Sequence, residues 1–500
     1  MARAGGEMDR DGGIKRPLVL CTLTLIFCMP AIFNGTPFVY IDTATYLAQG
    51  QEAARAFLPW LVPDGAAVMP TAMDAPPVSP IAPPDAEPVV GGRSIYYGLA
   101  AYAAAAMTGG WALVTAQALA LAWPILLIAQ RVAGKRWIWV ALATCLVAAF
   151  GTPAGVFVGL ITPDIWAAAM VLAVAALTVS RSLGRGERAG LYAVIAYAGS
   201  VHTSHLLVLA LAALVFWAIR CVRRGRSMGQ RPFESGLTAC VAIGVAGSLV
   251  FGAVVEQRYG APPISRPHLT ARLIDSGPGA AAANEVCAAG SDLAICAHLD
   301  RIPQRWTSFL FDPDPASGVF DPAPPAEKRA LAADDKRFAV MTFRHAPFTT
   351  TWTLIRDAGR QVLEFDVYGT PTTTASRTDA MSRFSSDLQA DIQGGRSFDQ
   401  PGLFAVIDTV HRWLTGAALA VAALAFGAAA FTGCTIDRRA ALVFAVCVGG
   451  VLLNAVVCGA LASPYGRFGA RIAWLIVLTA PLLTASLLQA LPTRRKVVLS

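Results

Sequence analysis

Four short polar stretches interrupt a largely apolar chain, and their residue types could carry out acid–base or anion-binding chemistry. The first, FVYIDTATYL, places Asp42 and, four residues later, Tyr46 directly after a long apolar run. A carboxylate at such a position could accept a proton from a hydroxyl group, with Tyr46 as a substrate-binding residue. Asp42 could equally cap the helix that ATYLAQGQEAARAFL predicts, and both interpretations stay open.

The second stretch, GLITPDIW, places Asp164 between two apolar runs. A threonine, a proline and an aspartate in this order are typical of the start of a helix, where Thr162 would cap and Pro163 would open the first turn. Asp164 is also the one acidic residue of this short connection. It is therefore a second candidate catalytic carboxylate, and the structural alternative is kept beside it.

The third stretch, YAGSVHTSHLLVL, contains His202 and His205, which share a face if the segment is helical. Neutral imidazoles can hydrogen-bond a hydroxylated substrate, or they can ligate a metal together with carboxylates. Asp42, Asp164 and His205 are therefore candidate ligands of a divalent metal. A purely structural role for the histidines remains the alternative.

The fourth stretch, SPYGRFGARIAW, places Arg467 and Arg471 one helical turn apart at the start of an apolar run. The guanidinium fork suits a phosphate group, so the pair is a candidate phosphate clamp that binds substrate. The alternative is anchoring to lipid headgroups, with Tyr465 and Trp474 as interfacial aromatic residues.

The composition identifies the elements that must position these residues. The chain has 500 residues, of which 55% are hydrophobic and 14% charged, whereas soluble proteins carry about 25% charged residues. Apolar runs of roughly 17–25 residues recur, which is the length that crosses a bilayer as a helix. We therefore predict an all-α polytopic membrane protein. Its ten predicted spans lie near residues 17–33, 112–130, 137–159, 165–180, 189–201, 204–220, 236–255, 410–432, 440–461 and 472–490.

Residues 94–109 form a further short apolar stretch, which we predict to be an interfacial or half-inserted helix. The spans divide the chain into an N-terminal membrane module (1–256, with a Pro-rich outer loop at 34–93), a mixed outer segment (257–402) and C-terminal membrane helices (403–500). Helices are expected near 326–345 and 347–360 of the outer segment.

Clusters of Lys and Arg predict the orientation, because such residues favour the cytoplasmic side of a membrane. With ten spans the clusters all fall on one side, so both termini are expected in the cytoplasm and all four polar stretches on the outer face. They lie at residues 10–16, 131–136, 181–188, 220–226, 438–439 and 494–496. This distribution also explains the net charge of +8 without a nucleic-acid partner.

Cys287 and Cys296 are the two cysteines of the outer segment. An oxidising outer compartment favours a disulfide between them, and two unpaired thiols are the alternative. The abundance of Ala and Arg suggests a bacterial genome, and hence the bacterial plasma (inner) membrane, with the large loops in the periplasm. The first span is expected to remain as an uncleaved anchor, since its apolar run is longer than that of a signal peptide.

An acidic motif directly after the first span, here Tyr40 to Tyr46, resembles the GT-C superfamily of integral-membrane glycosyltransferases. The aromatic pair in SIYYGL at 94–99 and the acidic residue after the third span, Asp164, are similar to features of the same family. The resemblance implies a cell-envelope hexosyl- or pentosyltransferase that moves a sugar from a polyprenyl-phosphate donor to a glycan, lipid or protein acceptor. It also places Tyr96 among the candidate substrate-binding residues.

Many members of this family carry two acidic residues in the first-loop motif, whereas Asp42 stands without an acidic neighbour here. A single acidic residue argues against a strict metal requirement. A divalent metal nevertheless remains a candidate cofactor, and we expect no other. Two further functions compete with the transferase. A transporter or flippase of a lipid-linked substrate predicts polar residues in mid-span, and a non-catalytic membrane assembly protein predicts no convergence of Asp42, Asp164 and the arginines.

Overall fold

The computed structural model describes residues 12–62, 88–91, 93–180, 182–222, 232–302, 304–367, 389–390, 393–396, 402–432 and 435–490. Helices dominate these residues, as the predicted all-α class requires. The first ten helices are α1 Gly12–Asn34, α2 Ile41–Phe57, α3 Ile95–Thr108, α4 Trp111–Val132, α5 Trp137–Gly151, α6 Ala154–Gly159, α7 Ile165–Val179, α8 Arg185–Val201, α9 Thr203–Val222 and α10 Pro232–Tyr259.

The outer segment contributes five helices, and three long helices follow it. They are α11 His268–Asp275, α12 Pro278–Ala288, α13 Trp306–Phe311, α14 Pro325–His345, α15 Pro347–Leu363, α16 Gly402–Thr432, α17 Arg438–Leu461 and α18 Gly466–Ala490. Single-turn or short 3₁₀ helices lie at Pro59–Leu61, Gly134–Arg136 and Ala294–Arg301. The predicted helices near 326–345 and 347–360 correspond to α14 and α15.

Seven of the described helices are long and apolar enough to cross a membrane. They are α1, α4, α9, α10, α16, α17 and α18, and each falls on one of the predicted spans. The length of a bilayer-crossing helix follows from the thickness of the hydrocarbon layer, which is why apolar run length located them. The chain is a helical, multi-pass membrane protein.

The three other predicted spans are shorter helices in the structure. The span predicted over 137–159 is not one continuous helix, because the chain is broken between α5 and α6 at Thr152 and Pro153. Proline lacks an N–H and disfavours helical backbone at the residue before it. α7 has 15 residues and α8 has 17. The stretch predicted at 94–109 is the 14-residue helix α3.

Helix α7 forms the centre of the bundle. Its residues from Ile165 to Ala176 are all buried, which matches a sequence that is apolar on every side. Helices α4, α8 and α17 pack around it. Because α7 begins at Ile165, the bundle fixes Asp164 at the end of its best-packed helix.

The bundle has two distinct ends. At one end Arg439 donates to the carbonyl of Arg131 (3.0 Å) and Gln489 donates to the carbonyl of Val132 (3.2 Å). This basic end contains two of the Lys/Arg clusters. The opposite end, called the site end below, holds Asp42 and Asp164.

The outer segment lies at the site end and has a hydrophobic cluster of its own, which includes Leu273, Phe309, Phe320 and Phe338. β1 Val90–Gly91 and β2 Ile264–Ser265 pair in parallel and join this segment to the chain that precedes α3. Cys287 and Cys296 form a disulfide, with their Cα atoms 5.4 Å apart. The preceding helix, α10, ends at Tyr259, three residues beyond the predicted domain boundary.

Candidate functional site

The loop after α1 is fastened to the loop before α7, and this brings the two candidate carboxylates together. Phe38 and Leu160 form a parallel bridge, in which Phe38 donates to the carbonyl of Gly159 (2.8 Å). Thr43 adds a hydrogen bond from its hydroxyl to the carbonyl of Ile161 (3.0 Å). Two loops far apart in sequence therefore run side by side, one leading to Asp42 and the other to Asp164.

Helix α3 completes this wall by packing very closely against α2. Gly50 of α2 faces Gly98 of α3, and a Cβ atom on Gly50 would lie 2.0 Å from the carbonyl oxygen of Gly98. No larger residue fits there without moving the backbone. The close approach places Arg93, which precedes α3, beside the first turn of α2.

Asp42 lies between two guanidinium groups. Arg93 contacts one carboxylate oxygen at 2.7 Å and Arg467 contacts the other at 3.1 Å. Burial raises the pKa of Asp42, but the charges of Arg93 and Arg467 outweigh burial and lower the pKa to about 2. The side chain of Asp42 keeps 25% of its surface exposed, so it lies partly at the surface of the described structure.

Asp164 is the deeper carboxylate, with 5% of its side chain exposed. Arg467 contacts it at 2.5 Å, Arg471 at 3.4 Å, and the hydroxyl of Thr162 donates to it at 2.7 Å. Burial raises its pKa, yet the two guanidinium groups lower it well below the usual range. Arg467 thus bridges Asp42 and Asp164.

These five residues, Arg93, Arg467, Arg471, Asp42 and Asp164, are called the ion-pair cluster below. Three cations face two anions in it, so the cluster carries one uncompensated positive charge. The Nε–H groups of Arg467 and Arg471 are buried and have no hydrogen-bond partner among the described residues. The cluster therefore holds both unused donors and excess positive charge.

Arg471 is embedded in neutral acceptors. Its Nη2 donates to Asn454 (2.9 Å), to the hydroxyl of Ser204 (3.0 Å) and to the sulfur of Cys458 (3.2 Å). Ser204 in turn lies 2.8 Å from Nδ1 of His202. The chain of contacts runs from Asp164 through Arg471 and Ser204 to the histidine stretch.

His202 interrupts the helical backbone between α8 and α9. Its Nδ1 accepts from the backbone N–H of Ser204 (3.2 Å), which indicates that the proton of the neutral ring is on Nε2. Burial and the charge of Arg471 lower the pKa of His202 to about 3. His205 lies behind it, with ring centres 5.0 Å apart, and its Nδ1 faces the carbonyl of Ala198.

The two candidate tyrosines, Tyr46 and Tyr96, lie in different environments. Tyr46 is buried beneath Arg93, whose guanidinium carbon lies 5.4 Å from the centre of the ring. Tyr97, not Tyr96, packs against it, with ring centres 5.1 Å apart. Tyr96 points away and donates to the carbonyl of Gly247 in α10 (2.8 Å). Adjacent residues of a helix point about 100° apart, so one of the two tyrosines had to face elsewhere.

The geometry does not fit the predicted metal ligands. Within the described residues no group of three or more His, Cys, Asp and Glu side chains is arranged to hold a metal ion. Asp42 and Asp164 are engaged by arginines, and His205 turns Nδ1 to a backbone carbonyl. A cation would also enter a cluster that is already positive. We assign no step to a metal.

The helix-cap alternatives do not describe the carboxylates either. In the described part of the chain the oxygens of Asp42 and Asp164 contact side chains and no backbone N–H of α2 or α7. The hydroxyl of Thr43 instead accepts from the N–H of Tyr40 at the start of α2 (3.0 Å). Both carboxylates are thus committed to the ion-pair cluster.

The turn before α18 positions Arg467, and side chains of the outer segment hold it. Gln361 accepts from the N–H of Tyr465 (2.9 Å) and donates to the carbonyl of the same residue (3.1 Å). Ser463, which has a positive φ of 134°, donates to Asp275 (2.7 Å). The turn is therefore fixed from outside the bundle, two residues before the bridging arginine.

Arg93 and Gln361 are among the contributors that the sequence analysis missed. Arg93 is a cation on the predicted outer side, and the argument that singled out Arg467 and Arg471 applies to it equally. Gln361 carries no such signal, because an uncharged side chain within an amphipathic helix is ordinary.

Comparison of the chain with protein-family models, with curated proteins and with solved structures finds no match.

Proposed function

We propose that this chain is a membrane glycosyltransferase that takes a sugar from a polyprenyl-phosphate donor and transfers it to an acceptor at the site end of the bundle. The observation that carries the proposal is the ion-pair cluster, with its excess positive charge and its two unused Nε–H donors. The apolar helices supply the setting, since a lipid-borne donor presents its phosphate at the membrane surface.

A phosphate group suits the unused capacity of the cluster. Guanidinium groups bind phosphate oxygens through paired hydrogen bonds. Arg93 and Arg467 both reach Asp42, the more exposed carboxylate, so an incoming phosphate would compete with Asp42 for them. Arg471 lies deeper and keeps its contacts with Asn454 and Ser204.

Such competition would prepare Asp42 for catalysis. While paired with Arg93 and Arg467 it is a weak base, with a pKa of about 2. Loss of one guanidinium to phosphate removes a cause that lowers the pKa and leaves burial, which raises it. Donor binding would thereby raise the pKa of Asp42 and make it a stronger base at the moment when the sugar donor is bound.

The transfer then follows ordinary acid–base chemistry. Asp42 takes the proton of the acceptor hydroxyl, and the acceptor oxygen forms a bond to the anomeric carbon of the sugar. The bond between that carbon and the phosphate oxygen breaks, and its electron pair stays with the phosphate. Arg467 stabilises the charge that develops there. Asp164 holds Arg467 in place.

We propose the finer topology together with this function. Ten spans, both termini in the cytoplasm and a bacterial plasma membrane would put the site end and the outer segment in the periplasm, where an acceptor of the cell envelope is available. The grouping of Arg131 and Arg439 at the opposite end supports the orientation, because basic residues favour the cytoplasmic side.

A non-catalytic membrane protein is the second candidate. The observation that favours it is that both carboxylates are already paired, as in a network that only joins helices. Asp42→Asn separates the two functions. A transferase loses its base, whereas a joining network keeps a polar partner for Arg93 and Arg467.

The test compares membranes that contain wild type, Asp42→Asn or Asp437→Asn, supplied with radiolabelled polyprenyl-phosphate sugars. Loss of a general base typically lowers rate by about 10²–10⁴-fold, and we expect this for Asp42→Asn at normal protein level. Asp437 caps α17 by accepting from the N–H of Arg439 (2.7 Å), and Asn caps about as well. This control should keep full activity. Full transfer by Asp42→Asn would end the catalytic role of Asp42.

A further inference from the structure

Helix α15 has one face buried against the protein and another that is apolar and exposed. The buried face carries Thr350, Thr353, Asp357 and Gln361. The opposite face carries large apolar side chains whose exposed fractions are far above those of a packed surface. They are Phe348 (90%), Trp352 (66%), Ile355 (59%) and Leu363 (75%).

These four residues, called the α15 stripe below, lie on one line along the helix. With about 3.6 residues per turn, their spacings of four, three and eight residues keep the four side chains within about 80° of one another around the helix axis. Exposed single apolar residues are common, but a continuous stripe with two aromatic rings marks a surface that is covered in the working protein. Within the described residues no side chain covers it.

The position of α15 tells which environment the stripe meets. The helix packs on α17 at Gly459, where a Cβ atom would lie 2.6 Å from the carbonyl oxygen of Asp357. Just past its end, a Cβ atom on Gly469 of α18 would lie 2.1 Å from the carbonyl oxygen of Glu364. Both α17 and α18 are long enough to cross a membrane. The helix therefore lies against the membrane-crossing bundle itself, at the site end.

Its partner α17 also leaves apolar side chains exposed near this end, namely Leu452, Val456 and Leu461. Such residues on a membrane-crossing helix face lipid. Helices α15 and α17, which pack on each other, thus both present apolar side chains at the surface of the described structure. Arg356 and Arg360 follow one edge of the stripe and are both exposed, and arginines beside a tryptophan are typical of the membrane interface.

We propose that α15 lies in the interface of the membrane at the site end, with the α15 stripe inserted among the lipids. The occupant of the exposed face is the bilayer. Interfacial helices of this kind bury their apolar side about 5–10 Å into the boundary between headgroups and acyl chains. The proposal does not depend on the transferase function, since it rests on burial and on contacts with membrane-crossing helices.

The experiment uses the full chain reconstituted into vesicles of phosphatidylcholine that carries bromine near the headgroup end or near the methyl end of its acyl chains. Bromine quenches tryptophan emission on contact. The chain has 11 tryptophans, so the signal of Trp352 is taken as the difference between wild type and Trp352→Phe. Phenylalanine keeps an apolar ring at an exposed position, and folding should be preserved.

Trp306 provides the matched control, because it belongs to the same segment and packs against the rings of Phe311 and Phe468. We expect the Trp352 difference signal to lose most of its intensity with shallow bromine and less with deep bromine. The Trp306 difference signal, from Trp306→Phe, should change little. A Trp352 signal that neither bromine quenches would overturn the proposal.

A second copy of the chain is the other occupant that the stripe could have. Light scattering of the detergent-solubilised protein, for wild type and for Ile355→Asp, examines this. A wild-type monomer that is quenched as described supports the bilayer. A wild-type dimer that Ile355→Asp converts to a monomer would show that the stripe is a protein–protein contact, and it would overturn the proposal.

Discussion

At the scale of single residues, Arg467 determines whether the site exists. It contacts Asp42 in the first turn of α2 and Asp164 at the start of α7, 425 and 303 residues away in sequence. Because this one cation pairs with both carboxylates, it connects α2, the start of α7 and α18. The two carboxylates differ in burial, and this difference leads to distinct expectations for their neutral variants.

We predict that Asp164→Asn lowers the free energy of unfolding more than Asp42→Asn does. Asp164 lies between two buried arginines, and removing one partner of a buried ion pair typically costs about 3–5 kcal/mol. Asp42 is partly exposed, so water can compensate for its lost charge. Thermal unfolding of the purified proteins measures the order, with Asp437→Asn as the control. Equal losses would contradict the assignment of Asp164 as the anchor.

His202 provides a pH-dependent contribution. Its pKa is lowered from 6.5 to about 3 in the folded chain, so the unfolded chain takes up the proton first as pH falls. The stabilisation is complete above pH 6.5 and is lost progressively toward pH 3. In this window one such group contributes a slope of about 1.4 kcal/mol per pH unit.

We therefore predict that the melting temperature of wild type falls between pH 7 and pH 5, and that His202→Asn reduces the fall. The amide oxygen of Asn can accept from Ser204 as Nδ1 does, but it does not titrate. Melting curves across this pH range provide the measurement. Parallel curves for the two proteins would show that His202 does not titrate on unfolding.

At the scale of elements, the turn between α17 and α18 depends on the outer segment. Gln361 satisfies both backbone groups of Tyr465, and Arg272 donates to the carbonyls of Gly459 (3.1 Å) and Ala460 (3.2 Å) while pairing with Asp357 (2.7 Å). The backbone groups of this turn therefore lose hydrogen-bond partners when Gln361 or Arg272 is removed.

We predict that Gln361→Met destabilises the protein, whereas Arg360→Met, one position earlier, has little effect. Methionine fills the space but removes the side-chain partners of the N–H and carbonyl of Tyr465, which costs up to roughly 1–3 kcal/mol per group where water does not replace them. Arg360 is exposed, and its ion pair with Glu364 is of the surface kind. Thermal unfolding compares the two variants, and equal stabilities would refute the supporting role of Gln361.

The long membrane-crossing helices could be predicted from sequence, whereas the helix break within 137–159 and some partners of the site residues could not. Spans such as α4 and α17 follow from run length, since lipid demands an apolar helix of fixed size. The break at Thr152 was missed because the apolar run continues through it, although Pro153 was a visible signal. The convergence of Asp42 with Arg467 followed from placing both on one face. The choice of Arg93 and Gln361 as their partners depends on tertiary packing that no local pattern encodes.

At the scale of the whole molecule, the two ends of the bundle differ in charge and in contents. One end gathers basic clusters, and the other gathers the ion-pair cluster beneath the outer segment. Such an asymmetry is typical of membrane proteins that have one fixed orientation.

We predict that reporter fusions after residues 135 and 437 give a cytoplasmic signal, and that fusions after residues 60 and 300 give an outer one. The first two positions lie at the basic end, beside Arg131 and Arg439. Alkaline phosphatase and green fluorescent protein report the two sides by opposite signals. A cytoplasmic signal after residue 60 would place Asp42 inside, and it would exclude a donor that is used on the outer face.

The bridging by Arg467 has a consequence for how the chain is made. A ribosome delivers Asp164 to the membrane 303 residues before Arg467, which at about 5–20 residues per second is a delay of roughly 15–60 s. During that interval the nascent chain holds a carboxylate, destined for burial, whose guanidinium partners in α18 do not yet exist. Products interrupted before residue 466 would stay in this condition. Membrane proteases should therefore degrade them faster than the finished chain, although nearly all of their apolar helices have been inserted.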